Sequence, residues 1–518
     1  MSDYNFLMES RLSPEQFAVV GLISRLAAEQ GLNLYLVGGA VRDLTYGQQI
    51  VRDLDFAVEG SPQRILRSLP AADSPAASRG TASERGLMVE HQALDESRNA
   101  ADLRFANGVR VEVAMCRDDL PGRPGQRPEI RPATIFEDLR RRDFSINAMA
   151  VSLHPNSRGL LLDPTNGAGD IERRELRALY SRSFFDDPVR IFRLLRLGLR
   201  LDFKPDERTQ RWFDAALEER VWERLDAAQQ TRELAAILRE DHPERVLKEL
   251  AERKLLAGLD KKVAAVHLAY DRFARIRNVL QTVPGADAFL LNFHALVEKL
   301  GNEHVQRLAN KIIGETKIIK VTLSFDREAK KLERTLVGAK AVLPSQVYSL
   351  LSPLPQPLLL FVLTHSSQAK VHNRIKNYLF KAPAVRASLP RTELQSLGVK
   401  AGPEFDRILE KIFALQLDGK IKSHQQLMKE LRAAAGIKEP PPIPVKKPAA
   451  GAPVPAPAKS AGKTATKPAP AKAAQKPPER AAELAVQKKP PVILKKGTGK
   501  GGKKTAAPPR GSGKHKKR

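Results

Sequence analysis

The sequence predicts an α+β chain: strands and helices interleaved over the first 150 residues, a wholly helical stretch to about residue 437, and a disordered basic tail. Three observations carry this. Apolar runs of strand length, Leu34 to Val37, Asp53 to Val58 and Arg110 to Ala114, alternate with segments of helical spacing. From Glu207 to Ile437 apolar residues recur every three or four positions, as in Arg232 to Leu238 and Arg245 to Leu255. Beyond Lys438 the chain is Pro, Ala, Lys and Gly, with almost nothing to bury.

Taken in order, Pro14 to Gly31 places Phe17, Val20, Leu22, Ile23 and Leu26 on one helical face, which predicts a helix packed on the sheet that Leu34 begins. Leu34 to Val37 ends in Gly38 and Gly39, then Ala40, Val41, Arg42 and Asp43, a strand turning sharply into a helix. Paired glycines let backbone N–H groups approach an anion, and a helix start adds partial positive charge, so the turn suits a triphosphate as well as a plain tight turn.

Asp53, Leu54, Asp55, Phe56, Ala57 and Val58 read as the next strand. Residues two apart on a strand share a face, roughly 7 Å apart. Two carboxylates so placed repel, and are tolerated when solvated or when a hard divalent cation lies between them.

A second helix is expected from Pro62 to Leu69, then a polar, Ala-rich stretch from Pro70 to Arg85. Arg110 to Ala114 alternates again and carries Glu112. Pro121 to Pro132 reads as a Pro/Gly/Arg-rich mobile loop. Arg140 to Ala150 opens basic and turns apolar, which predicts a helix entry carrying guanidinium groups. In the following helix Arg190, Arg193, Arg196 and Arg200 fall on one arc and Ile191, Leu194, Leu195 and Leu199 on another, so the first arc is expected to face nucleotide or RNA and the second a core. Asp187 and Arg190, three apart, are neighbours on the surface, either as a plain ion pair or as a donor and acceptor that read a base edge.

These motifs together resemble the class II tRNA nucleotidyltransferase and bacterial poly(A) polymerase family, whose head is polymerase β-like. Gly38 to Asp43 (GGAVRD) and Asp53 to Phe56 (DLDF) match its first motif, Arg141 to Ala148 (RRDFSINA) its second. Asp163 to Asp170 (DPTNGAGD) and Asp186 to Arg190 (DDPVR) follow, all within about 160 residues. The resemblance implies a small mixed sheet with helices as a catalytic head (1–150), a neck with base-recognition helices (151–240), a helical body that holds the RNA acceptor end (241–437), and the tail (438–518). It also implies that Asp53, Asp55 and Glu112 are catalytic and hold Mg²⁺. Two ions about 3.5 to 4 Å apart need more negative charge than two Asp side chains supply, hence the third acid.

Further, Gly38, Gly39 and Arg42 would cradle phosphates, and Arg142, Asp143 and Asn147 would meet the incoming nucleotide, Asp143 near the ribose. Asp187 with Arg190 would select CTP and ATP, and Arg193 would join the nucleotide site. Two departures stand out: Asp186 occupies a position where Glu is frequent, and Arg79-Gly80-Thr81 stands where Phe-Gly-Thr is common. The implied reaction is template-independent addition of C or A residues to the tRNA 3′ end, with a poly(A) polymerase or a non-catalytic RNA-binding protein as the alternatives.

Charge supports a polyanionic partner. The 518 residues carry +28, and 21 Lys and Arg against 3 acidic residues from Lys438 to Arg518 account for +18 of it. The tail is expected to strengthen RNA binding without sequence specificity. Exposed lysines of the helical region, Lys311, Lys317, Lys320, Lys330 and Lys331, are expected to be solvated. The single Cys116 excludes an intramolecular disulfide and a multi-cysteine zinc site. No apolar run approaches the roughly 20 residues that span a bilayer, and Met1 to Ser10 lacks signal-peptide character, so a cytoplasmic protein without membrane contact is expected. There is no His-Asp dipeptide to suggest an appended phosphohydrolase domain, and Gly497 to Lys503 resembles a P-loop only until Lys504 replaces the required Ser or Thr. Oligomeric state is left open.

Overall fold

The computed structural model describes residues 3–48, 51–70, 85–120, 129–283 and 285–437. Most of the expected mobile loop, most of the Ala-rich stretch and the whole basic tail lie outside these residues. The described residues all belong to one compact unit.

The amino-terminal part is a seven-stranded mixed sheet in the order β3-β4-β5-β2-β1-β8-β9. The strands are β1 (Asn33–Val37), β2 (Leu54–Glu59), β3 (Val89–Asp95), β4 (Ala100–Phe105), β5 (Arg110–Met115), β8 (Ala150–Ser152) and β9 (Leu161–Leu162). β2 and β5 run parallel; every other neighbouring pair is antiparallel. Arg117–Leu120 (β6) and Glu129–Pro132 (β7) form a separate hairpin, so the last four residues of the expected loop are a strand instead.

Helix α1 (Tyr4–Arg11) leads into α2 (Pro14–Glu29), whose start is fixed by Ser13 and Gln16 in a reciprocal cap with Pro14 as the first helical residue. Of the α2 residues that the spacing places on one face, Val20, Leu22, Ile23 and Leu26 are buried and Phe17 is partly buried against the core. Helix α3 (Gly39–Tyr46) starts at the glycine pair. The expected helix after β2 is only α4, Gln63–Leu66.

Strand alternation decides where the chemistry goes. On β2, Leu54, Phe56 and Val58 enter the main core with Leu34, Leu36, Val111 and Val113. The opposite parity holds Ala57, which joins a small second core with Val37, Cys116, Ile135, Leu139, Ala148 and Ala150. Asp55 shares the side of Ala57, so the sheet carries its acids on the face away from the main core.

The region from Arg140 to Ala150 is not a helix entry. Helix α5 (Ile135–Arg140) ends there, and a single 3₁₀ turn follows at Ser145–Asn147. The Asp143 carboxylate accepts from the Phe144 N–H (2.7 Å) and Asn147 Nδ2 (3.1 Å), and the Ser145 N–H donates to Arg177 O, so side chain and the adjacent backbone at Arg177 take the donors a helix needs.

Beyond β9 come α6 (Gly167–Arg173) and α7 (Val189–Leu201), then helices to Ala434, including α8 (Ala227–Leu238). The five lysines expected to be solvated are exposed. No single helix among the described residues is long and apolar enough to cross a membrane. The nearest candidate, Pro344–Leu351 with Gln356–His365, is bent by 116°, and its residues Leu358 to Thr364 are buried in the helical body.

Candidate active site

The carboxylates converge through strand register. Asp55 on β2 pairs with Glu112 on β5, and Glu112 pairs with Asp102 on β4, so three adjacent strands present acids in one row on the open face. Burial, then the neighbouring Glu112 and Asp53, pushes the Asp55 carboxyl up to about 7. Burial and Glu112 also raise Asp102. A carboxyl raised by burial and then by like charges is short of positive charge, and that is the electrostatic signature a divalent cation fits.

The acids do not close on one point. Among the described residues no set of three or more His, Cys, Asp or Glu is arranged to hold an ion. Asp53 is drawn to Arg110 Nε at 3.0 Å and Glu112 to Arg98 Nη1 at 3.4 Å, so both have to turn from their arginine partners to join Asp55. Asp53 and Arg110 are close to half exposed, which makes that turn inexpensive.

The glycine turn faces this cluster. Gly38 has φ +66°, and a Cβ there would stand 3.2 Å from Asp55 Oδ2 and 3.3 Å from Arg142 Nη1. Arg142 holds Asp138 through Nε (3.0 Å) and Nη2 (2.8 Å), leaving Nη1 on the glycine side. Asp138 is fully buried; against the burial that raises it, Arg142 and Arg141 hold it ionised below the usual carboxylate range.

Arg42 is buried, and its guanidinium meets Asp43 Oδ1 at 2.8 Å and donates to Asn147 Oδ1 at 2.7 Å. Asp143 is 6% exposed with both oxygens engaged: Oδ1 by Phe144 N–H and Asn147, Oδ2 by Arg193 Nη1 at 2.7 Å. Against burial, Arg193 and Arg190 hold its carboxyl down at about 2. Asp143 therefore braces the site as an anion whose contacts are made within the protein.

The arginine arc of α7 faces acids of the chain itself. Arg193 meets Asp143, Arg196 meets Glu233 (2.7 Å) and Glu240 (3.0 Å), and Arg200 meets Asp43 (2.8 Å). Arg52, just before β2, meets the same Glu240 at 2.8 Å. The arc expected to face nucleotide or RNA is thus a charged seam between sheet and helices, with Arg193 half open at 35% side-chain exposure.

Asp187 and Arg190 lie 3.6 Å apart. Asp187 also accepts from Gln229 Nε2 on α8 at 2.9 Å. Arg190 is buried, donating to Ser183 Oγ (2.7 Å), Tyr180 OH (3.2 Å) and Arg141 O (3.1 Å). Of the pair, Asp187 is the more exposed, at 32% against 10% for the side chains.

Asp102, Asp138 and Gln229 escape the sequence reading, which names Asp43 only within its motif and Arg200 only on the arc expected to face nucleotide or RNA. Asp102 was legible in the alternation Ala101-Asp102-Leu103-Arg104-Phe105; Asp138 and Gln229 are visible only through tertiary contact.

A strand-turn-helix with paired glycines, an acid row on the adjoining strands and an arginine-rich helix alongside define a nucleotidyltransferase head. Residues 34–177 match the Poly A polymerase head domain. The head so matched resembles that of the class II tRNA nucleotidyltransferase and bacterial poly(A) polymerase family. The chain is 24% identical to the A-adding tRNA nucleotidyltransferase of Geobacter sulfurreducens over 433 residues, 82% of this chain and 47% of that one. It is 27% identical to the A-adding tRNA nucleotidyltransferase of Halalkalibacterium halodurans, over 84% of this chain and 96% of that one. The chain thus spans about half of the first relative and nearly all of the second. Among solved structures, the Thermotoga maritima CCA-adding enzyme complexed with tRNA is 26% identical with a TM-score of 0.40, over 84% of this chain and 99% of that one. Nucleotidyltransferases of this family use divalent metal ions.

Proposed function

We propose that this chain adds C or A residues to the 3′ end of tRNA without a template, using ATP and CTP, in the cytoplasm. Its amino-terminal 150 residues act as catalytic head, 151–240 as neck and 241–437 as the body that receives RNA. The observation that carries the reading is the juxtaposition of Asp55 and Glu112 in register, opposite the Gly38 turn. The match of residues 34–177 to the Poly A polymerase head domain and two relatives named as A-adding enzymes support it.

Asp53, Asp55 and Glu112 are the residues we assign to Mg²⁺, with Asp102 at the end of the row. Bound there, the ion supplies charge neutralisation on the triphosphate and eases loss of the RNA 3′-hydroxyl proton. Gly38 and Gly39 present backbone and Arg42 and Arg142 present guanidinium groups to phosphate oxygens, which favours the pentavalent geometry of in-line attack at the α-phosphate with pyrophosphate leaving. Asn147 and Asp143 hold the sugar side of the pocket in place. Asp187 accepts from an exocyclic amine, which adenine and cytosine both carry, while Arg190 keeps the neck turn closed beneath it.

The test is a panel of tRNA transcripts lacking CCA, CA or A, each given CTP, ATP or both. Stopping at CCA, or adding A only to the transcript that ends in CC, supports the reading; long A tracts indicate a poly(A) polymerase, and no extension a non-catalytic RNA-binding protein.

A further inference from the structure

Six side chains form a closed circuit that begins and ends on α7. Arg200 Nη2 meets Asp43 Oδ2 at 2.8 Å; Asp43 Oδ1 accepts from Arg42 Nε at 2.8 Å; Arg42 Nη1 donates to Asn147 Oδ1 at 2.7 Å. Asn147 Nδ2 donates to Asp143 Oδ1 at 3.1 Å, and Asp143 Oδ2 accepts from Arg193 Nη1 at 2.7 Å. Arg193 and Arg200 are seven residues apart, two helical turns, so both project from one face of α7. The circuit spans α3, the turn after Asp143 and α7, and α7 opens directly after Asp187 and carries Arg190.

Its charges alternate: Arg200 and Arg193 at the ends, Asp43 and Asp143 inside them, Arg42 and Asn147 at the middle. Arg42, Asp43 and Asp143 are all under 7% exposed. Asp43 divides its two oxygens between Arg42 and Arg200, so neither arginine can shift without unsatisfying a buried carboxylate. A guanidinium with two of its edges tied in this way has its direction set before any ligand arrives.

We propose that Asp43 and Arg200 are positioning residues that aim Arg42 at the nucleotide phosphates and tie that aim to the helix carrying the base-reading end. This rests on the reading of Arg42 as a phosphate ligand. The consequence is that base end and phosphate end are held at one fixed separation, so a nucleotide is gripped at both ends or at neither. Neither residue contacts the nucleotide itself, and their effect runs entirely through Arg42.

The experiment uses the full chain as wild type, Asp43→Asn, Arg200→Met, Arg200→Lys and the Asp43→Asn/Arg200→Met double variant. Three quantities are read: ATP KM and kcat on a tRNA ending in CC, the equilibrium affinity for ATP, and the melting temperature. Each single variant is expected to raise the ATP KM and weaken ATP affinity about tenfold with the RNA KM unchanged. The double variant should be no worse than the weaker single, since the two residues act as one unit, and Arg200→Lys should recover most of the loss. Additive losses, or a lowered melting temperature with unchanged ATP affinity, overturn the proposal. If wild type binds ATP yet extends no RNA, the catalytic reading fails and the circuit is judged on ATP affinity alone. If wild type binds no nucleoside triphosphate, the circuit proposal falls as well.

Discussion

Asp55 and Glu112 are direct partners across the single parallel junction of the sheet, β2 beside β5, and they face the same open side. The pairing concentrates negative charge where one of the two acids is already pushed up to about 7. The sign of its effect on stability follows. A carboxyl whose folded pKa lies above its unfolded value contributes stability that is full at low pH and is lost as pH rises toward 7. The metal-free protein should therefore melt progressively lower as pH rises from about 4 to about 7, and level off above that. Asp55→Asn should abolish that part of the slope and stabilise the metal-free protein at pH 8 by ~1 kcal/mol while eliminating nucleotide addition. Differential scanning calorimetry in chelator across this range and at pH 8 checks this, and added Mg²⁺ should raise the wild-type melting temperature more at pH 8 than at pH 5.5.

Gly38 is constrained twice, by φ +66° and by the closeness of Asp55 Oδ2 and Arg142 Nη1 to any Cβ. Gly38→Ala should cost about 1–2 kcal/mol of stability and lower nucleotide addition much more than the melting temperature suggests, because the methyl group pushes on a proposed metal ligand and a proposed phosphate ligand together. Melting curves and initial rates on the same preparation separate the two effects.

Asp187 and Arg190 should part company under mutation. Asp187 is partly exposed and held by Gln229, so Asp187→Ala should relax discrimination against UTP and GTP with little loss of stability. Arg190 is buried among Ser183, Tyr180 and the Arg141 carbonyl, so Arg190→Ala leaves three polar partners unsatisfied and should destabilise by about 2–4 kcal/mol. Single-nucleotide incorporation with each of the four triphosphates, beside a urea melt, reads both.

The residues 438–518 carry a net +18, and removing them should weaken RNA affinity and flatten its dependence on salt without altering which nucleotide is added. Binding of the same tRNA at two or more salt concentrations by the full and shortened chains measures it. An unchanged salt slope would contradict the role assigned to the tail.

Much of the site was legible because its residues are local. The glycine pair ends a strand, Asp55 sits on the next with Asp53 just before its first residue rather than on it as expected, and period-2 alternation alone puts Asp55 opposite the core face. The helical spacing of Val189–Leu201 was equally plain, but where its arginines go was not. A polar arc reads as solvent or ligand facing, and nothing local in the sequence says that Asp43, Asp143, Glu233 and Glu240 supply its partners from 37 to 157 residues away. The stretch from Arg140 to Ala150 failed for a related reason. Its composition suits a helix, but the Asp143 carboxylate bonds to Asn147 and to the Phe144 N–H, and that competition depends on the segment that brings Arg177 alongside.

The central claim is that Asp53 and Asp55 hold the metal through which an RNA end takes up a nucleotide. Single-turnover extension of an end-labelled tRNA ending in CC, with ATP, is measured for wild type and for the Asp53→Ala/Asp55→Ala variant, each with Mg²⁺ and with chelator. One added nucleotide by wild type in Mg²⁺ alone, and none by the folded variant in either condition, is the predicted result; extension by the variant, or by wild type in chelator, contradicts it.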